Sequence, residues 1–129
     1  MATLFTLIVN GEIPCYKVAE NDKFLAFLDI QPLVKGHVLV IPKIEVDYLF
    51  DIEDDLLAEM IIFSKIVAKK IKTAYSCKKV GLTVIGLEVP HAHIHLIPIN
   101  SMSDMNFANP KLVLEKEDFE DIVSHLINS

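Results

Sequence analysis

Two short apolar segments, Tyr16 to Ala19 and Phe24-Leu25-Ala26-Phe27-Leu28, are parted by Glu20-Asn21-Asp22-Lys23, the pattern of a β-hairpin. Asp29-Ile30-Gln31-Pro32 breaks the alternation. His37-Val38-Leu39-Val40-Ile41-Pro42 then reads as a strand covered on both faces, closed by its proline. From Glu53 to Tyr75 the pattern changes to a three-and-four spacing, with Leu56, Leu57, Met60, Ile61, Ser64, Val67, Ala68 and Ile71 on one helix face. Acidic residues crowd the start of that stretch and lysines its end, in the order that suits a helix dipole. Val80 to Leu87 and His91 to Ile99 predict two more strands. Glu117 to Ile127 predicts a closing helix with Phe119, Ile122, Val123 and Leu126 inward. Met1 to Val9 is apolar but stops at Asn10-Gly11, too short for a membrane span and without the basic start of a signal peptide, so a short docked helix is expected. Together these elements predict an α+β fold: a five-stranded, mainly antiparallel sheet with one long helix and a C-terminal helix.

Composition narrows the function classes. The 129 residues carry no repeat and no linker, so a single domain over 1–129 is expected. Hydrophobic residues make up 52% and charged residues 23%, which excludes a disordered chain. A formal charge of −6 argues against nucleic acid and anionic membranes as partners, although a few donors in a pocket still suffice for one phosphate. Cys15 and Cys77 are too few for a disulfide framework and read as free thiols of a reducing, cytoplasmic compartment.

The chemistry concentrates in Pro90-His91-Ala92-His93-Ile94-His95-Leu96-Ile97-Pro98. On a strand, alternate side chains share a face, so His91, His93 and His95 project together at spacings of about 6.5–7 Å, while Ala92, Ile94 and Leu96 turn to the core. Histidines lining a solvated face by chance, a metal site and nucleophilic catalysis are three ways to use such a row. Outer imidazoles about 13 Å apart are badly placed for a shared zinc at ~2.1 Å, and no Cys-x-x-Cys or His-x-x-Glu-His pattern supplies further ligands. A neutral imidazole can instead attack phosphorus and hold it as a phosphoramidate, with a second imidazole serving the leaving group.

His-Ala-His-Ile-His-Leu-Ile resembles the signature of the histidine triad superfamily of nucleotide hydrolases and transferases. Gly11-Glu12-Ile13-Pro14, Phe24 to Pro32 and Gly36 to Lys43 resemble the same family in the same order, so the likeness covers a core of about 5–99, followed by a C-terminal loop and helix over 100–129. The resemblance implies a homodimer with a ten-stranded sheet, no cofactor, and a purine mononucleotide or its conjugate as substrate. It implies that His93 is the nucleophile that becomes nucleotidylated, that His91 orients it largely through its carbonyl, and that His95 contacts the phosphate and leaving group. His37 is implied beside the triad, Asp29 at the ribose, and Ile30, Phe5 and Phe27 along the base. A non-catalytic nucleotide-binding module on the same fold is the alternative.

The chain departs from the family's pattern in two places. The loop Gly86-Leu87-Glu88-Val89-Pro90 is short and lacks the usual asparagine, and Glu88 stands where a phosphate-contacting hydroxyl is common. A carboxylate there repels a phosphate unless paired or turned away, and attracts an amine-bearing leaving group. Some members bind a structural zinc at positions that here are Thr3, Thr6 and Glu45; with neither thiol nor imidazole among them, no metal is expected. Residues 101–107 are expected to form a surface loop, and His125 a solvated position on the last helix.

Overall fold

The computed structural model describes residues 2–129, leaving Met1 of the expected N-terminal helix outside them. The elements are α1 (Leu4–Val9), β1 (Lys17–Glu20), β2 (Phe24–Leu28), β3 (Val38–Pro42), α2 (Asp54–Ala74), β4 (Lys79–Thr83), β5 (Ile94–Ile99) and α3 (Lys116–Ile127). The strands form one sheet in the order β1-β2-β3-β5-β4, every neighbouring pair antiparallel. This is the predicted α+β architecture. Among the described residues no helix is long and apolar enough to cross a membrane.

The pleat sorts the core into two layers. Phe24, Ala26 and Leu28 of β2, Val38 and Val40 of β3, and Ile94 and Leu96 of β5 join Met60, Phe63, Val67 and Ile71 of α2 and Phe119, Ile122 and Leu126 of α3. On the opposite face Leu25, Phe27, Leu39 and Ile41 pack on Phe5, with Ile8 and Val9 of α1 alongside. The period of two in β2 and β3 thus divides each strand between both layers, which is why these strands are apolar throughout.

Several boundaries and contacts differ from expectation. β5 begins at Ile94 and not at His91, so His91 and His93 precede the strand. The cause lies in the backbone: the Ala92 N–H donates to the Val46 carbonyl at 2.6 Å, and the His91 ring, not a strand amide, bonds the Pro42 carbonyl at 2.9 Å. β4 stops at Thr83 because its partner there is His95, one residue from the start of β5. On α2 the buried stripe is Met60, Phe63, Ser64, Val67 and Ile71, while Ile61 is exposed, since a residue next to Met60 lies about 100° around the helix. His125 is exposed but not free, because its Nε2–H donates to the Ala74 carbonyl at 2.6 Å and caps α2. Cys15 and Cys77 are both free thiols.

Candidate functional site

Register assembles the site. Leu39 pairs with His95, so His37, two residues earlier on the same face, lies diagonally across from His95. The β2–β3 pairing ends at Leu28 opposite Val38, and the Asp29 N–H continues it by donating to the His37 carbonyl at 3.1 Å. Asp29, His37, His95 and His93 therefore meet at one end of the three central strands, on the α1 face. The ring centroids of His93 and His95 are 4.9 Å apart, and those of His37 and His95 5.2 Å.

Partners with a single possible role fix each tautomer. The Leu33 N–H donates to His37 Nδ1 at 3.1 Å, so the neutral ring carries its proton on Nε2. That Nε2–H donates to His95 Nδ1 at 2.9 Å, leaving the His95 proton on Nε2. The His91 carbonyl accepts from His93 Nδ1 at 2.7 Å, which leaves the His93 lone pair on Nε2. The Pro42 carbonyl similarly places the His91 proton on Nε2. No polar side-chain atom sealed from solvent lacks a partner among the described residues, so the unbonded Nε2 atoms of His93 and His95 both reach solvent. The site thus offers a lone pair on one imidazole beside an N–H on the next.

Burial lowers the proton affinity of three of these rings, His37, His91 and His95. His95 is pushed down to about 3, chiefly by desolvation and then by His37 and His93. His37 falls to about 4, again mainly through burial; the Asp29 carboxylate, 3.5 Å from its Nε2, opposes the shift and the Lys111 ammonium adds to it. Burial also lowers His91, against the pull of the Pro42 carbonyl and Glu45.

His91 is held from its other side by residues that the sequence marks only as lacking thiols. Thr3 Oγ1 lies 2.9 Å from His91 Nδ1, which must accept, so the Thr3 hydroxyl donates. The Thr3 N–H and the Thr6 hydroxyl donate to Glu45 Oε1 at 2.8 and 2.7 Å, and hold that carboxylate below its usual range. The Thr6 N–H closes the cluster on Thr3 Oγ1 at 3.0 Å, as the N-cap of α1. This donor set does not fit zinc, because two of its groups are neutral hydroxyls whose protons are committed to His91 Nδ1 and Glu45 Oε1.

Elsewhere the side chains of interest differ in reach. Ligand atoms of Asp29, His37 and His95 lie within 4.8 Å of one another, but His37 Nε2 and His95 Nδ1 share a proton, so the group is a hydrogen-bonded chain and not a ligand set. Phe5 and Phe27 are buried and pack edge to face at 5.5 Å, with the Phe5 ring 5.0 Å from His93. They support the imidazole, whereas Ile30 is 68% exposed and offers an apolar surface beside Asp29. Glu88 is exposed in its turn and forms no ion pair among the described residues. The 101–107 segment, expected as a surface loop, contains a 3-10 turn at Met102–Met105, and Phe107 after it turns inward, its ring centroid 4.9 Å from that of His95 and 6.1 Å from that of His37. Its sequence signal is that of a lone aromatic in a polar stretch.

Comparison with known proteins identifies the family. A model of the HIT domain matches residues 10–102, and the chain belongs to that family. It is 36% identical over 127 residues to an uncharacterized HIT-like protein of Borreliella burgdorferi, covering 92% of this chain and 91% of that one. It is 39% identical over 99 residues to an adenosine 5′-monophosphoramidase of Schizosaccharomyces pombe, covering 76% and 74%. The crystal structure of a Hit-like protein from Bartonella henselae superposes with a TM-score of 0.84 at 27% identity, over 98% of this chain and 95% of the other.

Proposed function

We propose that the protein is a nucleotide hydrolase or nucleotidyl transferase that splits a nucleoside monophosphate from its leaving group through a covalent His93–nucleotide intermediate. The observation that carries this reading is the free Nε2 of His93, whose tautomer the His91 carbonyl selects by accepting from Nδ1–H, beside the His95 Nε2–H. For a phosphoramidate, His93 Nε2 attacks phosphorus, the P–N bond breaks and the leaving amine takes up one proton. His95 donates its hydrogen bond to the leaving nitrogen or a non-bridging oxygen as charge builds there. Water then attacks phosphorus and the P–Nε2 bond breaks; the proton that water releases balances the one consumed in the first step. Asp29 holds the ribose and Ile30 lies against the base, with His37 keeping His95 in its donor tautomer. The adenosine monophosphoramidase of fission yeast supports a purine nucleotide conjugate as substrate. No metal and no other cofactor enters this scheme.

A homodimer belongs to the same reading. β4 is an open sheet edge, and Ile62 and Ile66 of α2 stand exposed one helical turn apart. A mass of twice 14.5 kDa in sedimentation equilibrium is the expected result. The free thiols support a cytoplasmic location.

Brief incubation with an adenosine phosphoramidate, a quench without acid and intact-protein mass spectrometry test the chemistry. One AMP adduct per chain is expected, absent in His93→Ala, together with a loss of turnover of about a thousandfold or more. Neither adduct nor released AMP from the unaltered protein would leave a nucleotide-binding module in place of an enzyme.

A further inference from the structure

Residues 101–112 cross the open end of the site as a strap, and most of them lie beyond the family match that ends at 102. The strap is braced by its own turns and anchored at its far end. Asp104 Oδ2 accepts from the Asn100 and Ser101 N–H groups at 2.7 and 3.0 Å, and Asn109 Nδ2 donates to the Ser103 carbonyl at 2.7 Å. At its far end the Leu112 N–H donates to the Pro32 carbonyl at 2.9 Å, next to the Leu33 amide that fixes His37. Met105 lies over Gly81 of β4, where a Cβ would meet its Sδ at 2.8 Å. Held in this way, the Phe107 ring stands edge-on to both imidazoles of the His37–His95 pair. Lys111 caps the arrangement, donating to the Phe107 and Asn109 carbonyls with its ammonium 5.9 Å from the Phe107 ring centroid.

We propose that Phe107 is a positioning residue whose ring keeps water off the hydrogen bond between His37 Nε2 and His95 Nδ1 and so holds His95 as a neutral Nε2–H donor. Its catalytic consequence rests on the hydrolase reading above, but its physical effect does not. The hydrogen-bond chain already resists a second proton, since either ring in its charged form would set an N–H against an N–H. Water entering from the strap side would relieve that conflict by accepting the displaced hydrogen bond, and an apolar ring prevents this. The charged or titratable groups facing the pair are Asp29 at the end of β2, His93 ahead of β5 and Lys111 on the strap itself. Only Asp29 favours the protonated pair, which agrees with the strong downward displacement of both rings.

The test is a histidine ring titration by NMR between pH 4.5 and 8 on the full chain, comparing the unaltered protein with Phe107→Ala and Phe107→Leu. In the unaltered protein both rings are expected to stay largely neutral over this range. Phe107→Ala is expected to bring the apparent pKa of His95 up from about 3 to about 5 or above, inside the titrated range, and Phe107→Leu to restore near-normal behaviour. Phe107→Gln, which keeps bulk but admits water, is expected to act like alanine and serves if the smaller side chain disturbs folding. Unchanged titration in both the alanine and glutamine variants would overturn the proposal. AMP release from adenosine phosphoramidate at pH 5 relative to pH 8 is expected to fall in Phe107→Ala but not in Phe107→Leu. If the unaltered protein released no AMP at all, the hydrolase reading would fail while the titration still decided the role of Phe107.

Discussion

A histidine can place its proton on either ring nitrogen, and here each choice is made by a neighbour that has none. A main-chain amide decides for His37, a main-chain carbonyl for His91 and for His93, and His95 follows from His37. The Thr3 hydroxyl then completes His91. Its loss has two effects at once: the buried Nδ1 of His91 keeps only the Thr6 hydroxyl, at 3.4 Å, and α1 loses its N-cap. Thr3→Val is therefore expected to cost about 2 kcal/mol of stability, and Thr3→Ser close to nothing, in urea unfolding curves. Equal stability of the two variants would mean that water replaces the hydroxyl. The alternation of histidines is legible in the sequence, and so are the positions where Thr3, Thr6 and Glu45 stand. Their mutual hydrogen bonds are not, because they join residues more than 35 positions apart through atoms whose distances only the folded sheet determines.

Strands and helices were legible wherever a period was sustained. The hairpin of β1 and β2, the buried strand β3, the long helix α2 and the closing helix α3 all stand within a few residues of expectation. The errors gather where side chains take over main-chain work. His91 occupies the Pro42 carbonyl that would have extended the β3–β5 ladder, and so β5 starts late and β4, lacking a partner, ends early. Phe107 was illegible for a related reason, since the stretch after the short 3-10 turn has no period and the residue that turns to the histidines is chosen by the tethers at Asp104 and Leu112. The turn into β3 carries a testable constraint. Gly36 has φ of +94°, and a Cβ there would stand 3.0 Å from the Tyr75 ring and 3.3 Å from Pro98. Gly36→Ala is expected to lose about 1–3 kcal/mol, from an unfavourable backbone conformation and from crowding against a ring that the end of α2 holds in place. Because His37 follows directly, its bond to His95 should loosen as well, visible as broadened ring resonances. An alanine variant with unchanged stability would show that Tyr75 yields at little cost.

On the scale of the whole molecule, the site makes folding sensitive to mild acid. His37, His91 and His95 are all held below their ordinary value of 6.5, mainly by burial. In the unfolded chain they take up protons as pH falls through about 6.5, while in the folded chain they do not until about 4 for His37 and about 3 for His95. The unfolded state therefore binds more protons across this interval, and stability declines as pH drops. At pH 5 the difference amounts to about 2 kcal/mol for each of His37 and His95, on the order of several kcal/mol in all, a large share of what a domain of this size has. The carboxylates held low by their partners, Glu20, Glu45 and Asp104, act on a lower interval, because their unfolded forms protonate only near 4. Loss of stability between pH 6.5 and 5 is thus a histidine signature. Urea midpoints measured at half-unit steps should fall steadily through that window and change little from pH 7 to 8. A flat profile down to pH 5 would mean that the buried imidazoles accept protons without unfolding the sheet around them. In that case the donor tautomer assigned to His95 could not persist in weak acid.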